Sequence, residues 1–170
     1  GEVNESWNYQ YNGNGIFVFK EGIWENINRY RFSQIDSLLD YITLAIDPRD
    51  KTIWAGSYGG GLLHVRENNQ SFEIFKQGII SPAVGDPMSF RVSGLAFDQG
   101  NNLWVSNFGA IQPLLVRKND GSWKKFSIPF LFPENSLAQI LVDDNNYKWI
   151  VAAKTGTLIC FNDASSIDNT

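Results

Sequence analysis

The sequence predicts an all-β fold, a fragment of a β-propeller with about three and a half four-stranded antiparallel blades. The main evidence is a stretch in which an apolar run with a tryptophan leads through the glycine-rich turn Tyr58-Gly59-Gly60-Gly61 into a second apolar run. Two runs of strand length joined by such a turn are typical of a β-hairpin. The stretch occurs four times, and a period of roughly 40 to 50 residues is typical of propeller blades. The tryptophans that mark it are Trp7, Trp54, Trp104 and Trp149.

Each full unit contains four apolar runs separated by turns, and no helix is needed anywhere. The first unit lacks its opening strand but keeps the strand around Trp7, and the last unit lacks its outermost strand. The whole chain, 1–170, is therefore interpreted as one partial propeller. Its predicted units are a partial blade 1 (1–30), blade 2 (40–76), blade 3 (90–127) and a partial blade 4 (136–163).

Aspartates mark the first turn of three units, at Asp47, Asp98 and Asp143. Such carboxylates accept hydrogen bonds from turn amides a few residues on. Three equivalent copies cannot all form one active site, so we interpret them as structural. The linkers between blades, 28–40, 76–90 and 127–136, are long, and insertions of this kind collect on one face, often the binding face.

The periodic tryptophans have a structural interpretation as well. A residue that recurs at the period of the fold usually serves the fold, and large rings fill the space between neighbouring blades. We therefore predict that Trp7, Trp54, Trp104 and Trp149 anchor the blades. Trp24, Phe72 and Trp123 recur on the outer strand and are given the same packing role.

Composition excludes several classes of protein. The 170 residues fit one domain, and the net charge of −4, with no basic cluster, argues against a nucleic-acid partner. The single cysteine, Cys160, cannot form an intrachain disulfide. No apolar run has the length of a membrane span and no signal peptide opens the sequence. Because the first unit begins in its middle, we expect the chain to be part of a longer protein.

The repeat resembles the two-component-regulator propeller repeat, in which an aspartate precedes an apolar-Trp pair and a glycine-rich turn. Residues 53–62, Ile-Trp-Ala-Gly-Ser-Tyr-Gly-Gly-Gly-Leu after Asp47, match it well, and so do residues 98–106. The last copy departs from the pattern at Ala152-Ala153-Lys154. The resemblance covers nearly the whole chain and implies a propeller.

The second half is also similar to a propeller component of the type IX secretion machinery of Bacteroidetes. The similarity rests on residues 93–107, 113–118, 121–126 and 142–150. It implies two propellers and a small β-domain at the cell surface, in the complex that attaches exported proteins to anionic lipopolysaccharide. It implies no catalytic motif and no cofactor.

Isolated reactive side chains are given structural roles. His64, the only histidine, aligns with Val18, Leu115 and Cys160, so we expect a packed strand residue. Metal sites need several His, Cys or carboxylate ligands at suitable spacing, and the sequence shows none. No histidine lies near Cys160 in the pattern to activate it as a nucleophile.

One set of side chains is predicted to bind ligand. Tyr11, Tyr58 and Phe108 each follow their tryptophan by four residues, and Lys154 occupies a similar place in the last unit. In a propeller these turns lie on the same face as the linkers. Aromatic rings and a lysine there can stack on sugars and contact anionic groups. Ordinary turn packing is the alternative.

Three functions are compatible with the sequence. The first is a binding and assembly module of type IX secretion that recognises an anionic glycan and other proteins of the complex. The second is the periplasmic, oligosaccharide-sensing propeller of a hybrid two-component regulator. The third is a propeller glycosidase or lyase, for which Asp40, Asp86 and Glu134 in the linkers are the candidate carboxylates. Because a fold alone implies no chemistry, we predict a non-catalytic protein and rank the enzyme last. The first two imply an extracytoplasmic location, at the outer-membrane surface or in the periplasm.

The incomplete terminal units lead to a prediction about assembly. With about three blades no ring closes, so two blade faces with large apolar side chains stay uncovered. Uncovered apolar faces and strand edges drive association. We expect self-association, most simply of two copies that together form a pseudo-propeller of about seven blades.

Overall fold

The computed structural model describes residues 2–66, 68–163 and 167–169. Strands dominate this part of the chain, and its helical residues lie in short 3-10 turns at Ser33–Ile35, Pro133–Asn135 and Ile167–Asn169. The strands are β1 Ile16–Lys20, β2 Ile23–Ile27, β3 Tyr41–Ile46, β4 Ile53–Gly59, β5 Gly61–Arg66, β6 Ser71–Phe75, β7 Phe90–Phe97, β8 Leu103–Asn107, β9 Leu114–Arg117, β10 Trp123–Phe126, β11 Leu137–Val142, β12 Lys148–Ala152 and β13 Thr157–Phe161.

The strands form four antiparallel meanders that follow the chain. The first contains β1 and β2, and the last contains β11, β12 and β13. The two middle units are complete, with β3 to β6 in one and β7 to β10 in the other. We call these four units blades 1 to 4. The all-β propeller fragment expected from the sequence is confirmed.

The first strand of each later blade carries the same irregularity. A shift in register separates Tyr41 from Thr43, Val92 from Gly94, and Leu137 from Ile140. Neighbouring blades approach closely here, since a Cβ added to Gly94 would lie 2.2 Å from the Ala138 carbonyl oxygen. Only a residue without a side chain fits at that distance.

Three apolar clusters lie between successive blades. Blade 1 packs on blade 2 through Ile16 and Ile27 against Ala55 and Leu63. Further along the chain, Trp54 and Leu62 of blade 2 face Val105 and Leu115 of blade 3, and Trp104 and Val116 of blade 3 face Ile150 and Ile159 of blade 4. Each blade thus presents one face to the preceding blade and the opposite face to the following one.

A buried charge cluster also joins blades 3 and 4. The Lys148 side chain is fully buried, and its Nζ lies 2.7 Å from an Asp163 carboxylate oxygen and 3.9 Å from Asp98. Asp98 in turn accepts hydrogen bonds from the Asn102 amide and the Trp104 indole, at 2.8 and 2.9 Å. Paired in this way, the ammonium group avoids the cost of an isolated buried charge.

The predicted strand around Trp7 is wrong. Trp7 lies in a turn with a φ of 58°, flanked by an isolated bridge between Val3 and Tyr9. β1 pairs only with β2, so no strand among the described residues pairs with the segment around Trp7. That segment crosses the end of the molecule instead. The Trp7 ring stacks on Phe108 and does not fill a space between blades.

The packing role predicted for Trp149 and Trp24 stays a prediction, because neither ring has a neighbouring blade among the described residues. Trp149 is 38% exposed and Trp24 is 67% exposed. Both rings lie on outward faces of the terminal blades, where no neighbouring blade among the described residues covers them. Their equivalents between blades, Trp54 and Trp104, are each 1% exposed.

Candidate functional site: the linker end of the propeller

The linkers and the turns between second and third strands meet at one end of the molecule. Backbone hydrogen bonds connect Val84 to the Gly109 carbonyl and Gly109 to the Asn135 carbonyl. The N-terminal segment joins them, since the Asp40 amide donates to the Asn12 carbonyl. We call this end the linker end. It carries the four side chains that the sequence singled out for binding.

A cleft of about 250 Å³ opens at the linker end. Aromatic, acidic and small polar side chains share its wall, so one surface offers both ring faces and hydrogen-bonding groups. Its main side chains are Tyr9, Tyr11, Tyr58, Asp40, Asp86, Met88 and Ser89. We call it the tyrosine cleft.

Arg91 fixes the side chains around the tyrosine cleft. Its guanidinium donates to the Tyr9 hydroxyl at 3.0 Å, to Ser89 Oγ at 2.9 Å and to Asp86 Oδ2 at 3.1 Å. It also lies over the Tyr9 and Tyr58 rings, 5.3 and 5.5 Å from their centroids. Burial raises the pKa of Tyr9 and of Tyr58, so both phenols are neutral at physiological pH. The cleft therefore carries neutral phenol groups whose positions are set by contacts with Arg91.

Asp40 attaches the N-terminal segment to the cleft. Its fully buried carboxylate accepts three consecutive backbone amides, from Gln10, Tyr11 and Asn12, at 3.1, 2.9 and 2.7 Å. These bonds satisfy both oxygens of a group that would otherwise be costly to bury. They also set the position of Tyr11, whose side chain is 74% exposed at the edge of the cleft.

The predicted binding residues differ in accessibility. Tyr58 and Phe108 are each 1% exposed, because the Trp7 ring stacks on Phe108 with centroids 5.0 Å apart and the Tyr58 hydroxyl donates to the Trp7 carbonyl. A covered ring cannot stack on a sugar, so direct contact by Phe108 is ruled out in this arrangement. Tyr58 contributes to the floor of the cleft. Tyr11 presents its ring to solvent.

Lys154 lies at the same end, beside the last linker. Its amino group forms an ion pair with Glu134 at 3.1 Å, and its backbone amide donates to Ser136 Oγ. The lysine side chain is 28% exposed and the glutamate 61% exposed, so solvent weakens this pair. An anionic ligand can therefore compete for Lys154.

The three carboxylates of the enzyme hypothesis are each engaged by a different group. Asp40 accepts backbone amides, Asp86 pairs with Arg91, and Glu134 pairs with Lys154. A glycosidase needs two carboxylates that face one bond. Asp40 and Asp86 line the same cleft, but each carboxylate is already held by the partners named above. Within the described residues, no group of three or more His, Cys, Asp or Glu side chains could hold a metal ion.

His64 packs in blade 2, far from this chemistry. Its ring stacks on Trp54 with centroids 3.8 Å apart, its Nδ1 accepts a hydrogen bond from Arg66, and its Nε2 lies 2.8 Å from Thr52 Oγ1. Burial and the nearby Arg66 charge lower the pKa of His64 to about 4, so the ring is neutral at pH 7. Cys160 is exposed on blade 4.

Sequence reasoning missed Tyr9 and Arg91. Tyr9 falls in the strand that the sequence predicts around Trp7, and no pattern in the sequence singles out Arg91. One signal was available for Arg91: it is the second residue of β7 and the single charged residue of that strand, and a charged side chain in an apolar strand usually has a specific partner.

Comparisons with known proteins agree with this architecture. The chain is similar to PorZ, a bacterial surface component of the type IX secretion system of Porphyromonas gingivalis, with a TM-score of 0.72 and 20% identity over 88% of the chain. It is also similar to virginiamycin B lyase from Staphylococcus aureus, with a TM-score of 0.62 and 16% identity over 88% of the chain. A third similar structure is the extracellular domain of BT4673 from B. thetaiotaomicron, described as a one-component system, with a TM-score of 0.56 and 16% identity over 88% of the chain.

The matched regions are parts of larger proteins. This chain spans 22% of the PorZ chain, 49% of the lyase and 19% of the BT4673 domain. At these identities the likeness establishes the propeller fold, and a fold alone does not define function. No family model and no curated protein matches the sequence. Among the described residues, no helix is long and apolar enough to cross a membrane.

Proposed function

We propose that this chain is a non-catalytic propeller module for binding and assembly outside the cytoplasm. Its linker end contacts an anionic glycan, as an attachment-complex component that handles anionic lipopolysaccharide would, and its partners are other proteins of that complex. The location follows the neighbours in fold, which include a bacterial surface component and an extracellular domain. The observation that carries the glycan assignment is the tyrosine cleft.

The chemistry of the cleft suits a sugar better than a purely apolar ligand. The exposed Tyr11 ring lies 5.8 Å from the Tyr9 ring, and exposed aromatic faces pack on the C–H face of sugars. The Asp86 carboxylate and the Ser89 hydroxyl line the same wall and can bond to sugar hydroxyls. Lys154, which is only loosely paired, supplies positive charge at the same end for an acidic substituent.

Titration calorimetry with purified lipopolysaccharide that carries anionic polysaccharide tests the assignment. We expect Tyr11→Ala and Lys154→Ala each to weaken binding by roughly tenfold, which corresponds to about 1.4 kcal/mol. Tyr147→Ala is the matched control, because Tyr147 is 42% exposed but lies in the turn between β11 and β12, outside the linker end. Equal affinities for all four proteins would contradict the proposal. Cleavage of the polysaccharide would contradict its non-catalytic part.

The second candidate is an oligosaccharide-sensing propeller of a hybrid two-component regulator. The fold likeness to the extracellular domain of BT4673, which is described as a one-component system, supports an extracellular sensing role in general and does not single out the two-component class. A neutral oligosaccharide has no acidic group for Lys154 to bind. Tyr11→Ala should therefore weaken binding of such a ligand, whereas Lys154→Ala should leave it unchanged. The same calorimetric series with neutral oligosaccharides distinguishes the two functions.

A further inference from the structure

Arg91 has hydrogen-bonding capacity to spare directly behind the wall of the tyrosine cleft. A guanidinium carries five N–H groups in a planar fork. The Nε–H of Arg91 donates to the Tyr9 hydroxyl and to Ser89 Oγ, and one Nη2–H donates to Asp86. These bonds use only part of the fork, so a second acceptor can still bind to it.

The Asp86 side chain stands between the cleft and Arg91. The residues that line the cleft include Asp86 and Ser89 but not Arg91, so these two side chains screen the guanidinium from the open space. Asp86 is 42% exposed and holds Arg91 through one oxygen at 3.1 Å. Solvent weakens an ion pair of this exposure. A carboxylate that enters the cleft can therefore compete with Asp86 for Arg91.

The backbone of Asp86 is fixed independently of this ion pair. Its amide donates to the Ala83 carbonyl at 3.0 Å, and its carbonyl accepts the Ser89 amide at 3.1 Å. The Asp86 side chain can therefore leave Arg91 by rotation about its own bonds while the loop stays in place. Rotation of an exposed side chain is fast.

Arg91 keeps its own position when Asp86 turns away. Its backbone pairs with Tyr58 between β7 and β4, and its carbonyl accepts the Phe108 amide at 2.9 Å. Its guanidinium is still held by Tyr9 and Ser89 and by the two tyrosine rings. A positively charged fork is thus already oriented toward the cleft, which lowers the cost of binding an anion.

We propose that Arg91 binds a carboxylate of the glycan and that the Asp86 side chain occupies the place of this carboxylate in the free protein. The inference rests on the proposed glycan binding at the linker end, and it names the class of sugar as a uronic acid. Asp86 now fills the place with a planar carboxylate, whereas a phosphate is tetrahedral and larger. Since one carboxylate replaces another, Arg91 stays paired throughout the exchange.

Chemical rescue tests the receptor without any glycan. Asp86→Ala keeps Cβ and removes the COO⁻ group, so the gap beside Arg91 has the size of a formate ion. We expect sodium formate to raise the melting temperature of this variant by a few degrees relative to sodium chloride at the same ionic strength. The wild type and Asp86→Asn, in which a side chain fills the gap, should show no such difference. The melting curves also verify that each variant folds.

The matched control is Asp168→Ala. Asp168 also forms an ion pair with a basic side chain, Lys118, at 3.2 Å and is 73% exposed, but it lies outside the tyrosine cleft. Formate should therefore leave the melting temperature of Asp168→Ala unchanged.

Calorimetry with two kinds of sugar tests the ligand class. Galacturonate oligomers carry the carboxylate, and neutral galactose oligomers of the same length do not. Asp86→Ala should bind the galacturonate oligomers about fivefold more tightly than the wild type does, because the competing carboxylate is gone. It should bind the neutral oligomers no more tightly, because it has lost an acceptor for sugar hydroxyls. Asp168→Ala should bind both ligands as the wild type does.

Three results would overturn the inference. Equal effects of formate on Asp86→Ala, Asp168→Ala and the wild type would show that Arg91 is no carboxylate receptor. Stronger rescue by inorganic phosphate than by formate would contradict the choice of a carboxylate. Galacturonate affinity of Asp86→Ala that does not exceed the wild-type value would show that Asp86 does not compete with the ligand. Failure of the proposed function looks different, because lipopolysaccharide binding would then be insensitive to Tyr11→Ala and Lys154→Ala while formate rescue persists.

Discussion

Trp104 of blade 3 and Trp149 of blade 4 occupy equivalent places and make the same local bond. Each indole N–H donates to the aspartate six residues earlier, Asp98 or Asp143, at 2.9 Å. Their surroundings differ, since Trp104 is 1% exposed and Trp149 is 38% exposed. The repeat therefore specifies how the ring is attached to its own blade, whereas the neighbouring blade determines whether the ring is buried.

Blade 2 shows what happens when the local bond is missing. Trp54 follows Asp47 by seven residues, and Asp47 binds the Arg49 guanidinium at 3.0 and 2.8 Å. The buried Trp54 indole N–H has no hydrogen-bond partner among the described residues, yet its ring is buried as completely as that of Trp104. The Trp54 ring stacks on His64, and the Arg117 guanidinium lies over the ring, 5.3 Å from its centroid. Burial between blades thus does not depend on the aspartate bond.

The largest effect is expected at the buried ring. Trp104→Ala removes a ring packed against Phe126 and Phe161 and should lower the free energy of unfolding by about 3–5 kcal/mol, as buried large-to-small aromatic changes do. Chemical denaturation measures it. A change below about 1 kcal/mol would show that the neighbouring blade contributes little to this position.

Acidification should destabilise blade 2, in which Trp54 lacks the hydrogen bond to aspartate. The pKa of His64 falls from 6.5 to about 4 on folding, chiefly through burial, so the unfolded chain binds the proton more tightly. Above pH 6.5, His64 is neutral in both the folded and the unfolded chain, and its protonation costs no stability. As the pH falls below 6.5, the unfolded chain takes up the proton first, and the free energy of unfolding decreases by about 3 kcal/mol at pH 4.

The His64→Val variant isolates this effect, because valine occupies the equivalent place in blade 1 at Val18 and cannot titrate. Protonation of carboxylates such as Asp47 lowers the stability of both proteins equally on acidification, because the hydrogen bond from Arg49 lowers the pKa of Asp47 in both. We expect the stability difference between the two proteins to shift by about 3 kcal/mol in favour of the variant between pH 7 and pH 4. Parallel pH profiles would contradict the assignment of a neutral, buried His64.

The smallest effect is expected at the exposed ring. Trp149→Ala should cost about 2 kcal/mol less than Trp104→Ala, since 38% of Trp149 is already exposed to solvent whereas Trp104 is 1% exposed. Denaturation beside the Trp104→Ala measurement gives a direct comparison. Equal losses at the two positions would mean that the local bond to aspartate, and not the neighbouring blade, provides the stability.

Much of the fold was predictable because its signals are local. The antiparallel strand repeat and its turns were predictable because alternation and turn residues act within a few positions. Trp7 was misplaced because its local pattern matches the repeat while its pairing partner is absent. Tyr58 and Phe108 were identified correctly as a group that meets at one end, but their cover by Trp7 depends on a contact far away in the sequence.

By itself, the sequence determined the blade repeat, the aspartate turns and the end of the molecule at which the linkers collect. These features follow from side chains that interact within one hairpin, where spacing and residue type are sufficient. Only the tertiary structure decided which tryptophans are buried and that Arg91 and Asp40 organise the tyrosine cleft. Those outcomes depend on which blade lies beside which, and a repeated local pattern carries no information about whether a neighbour is present.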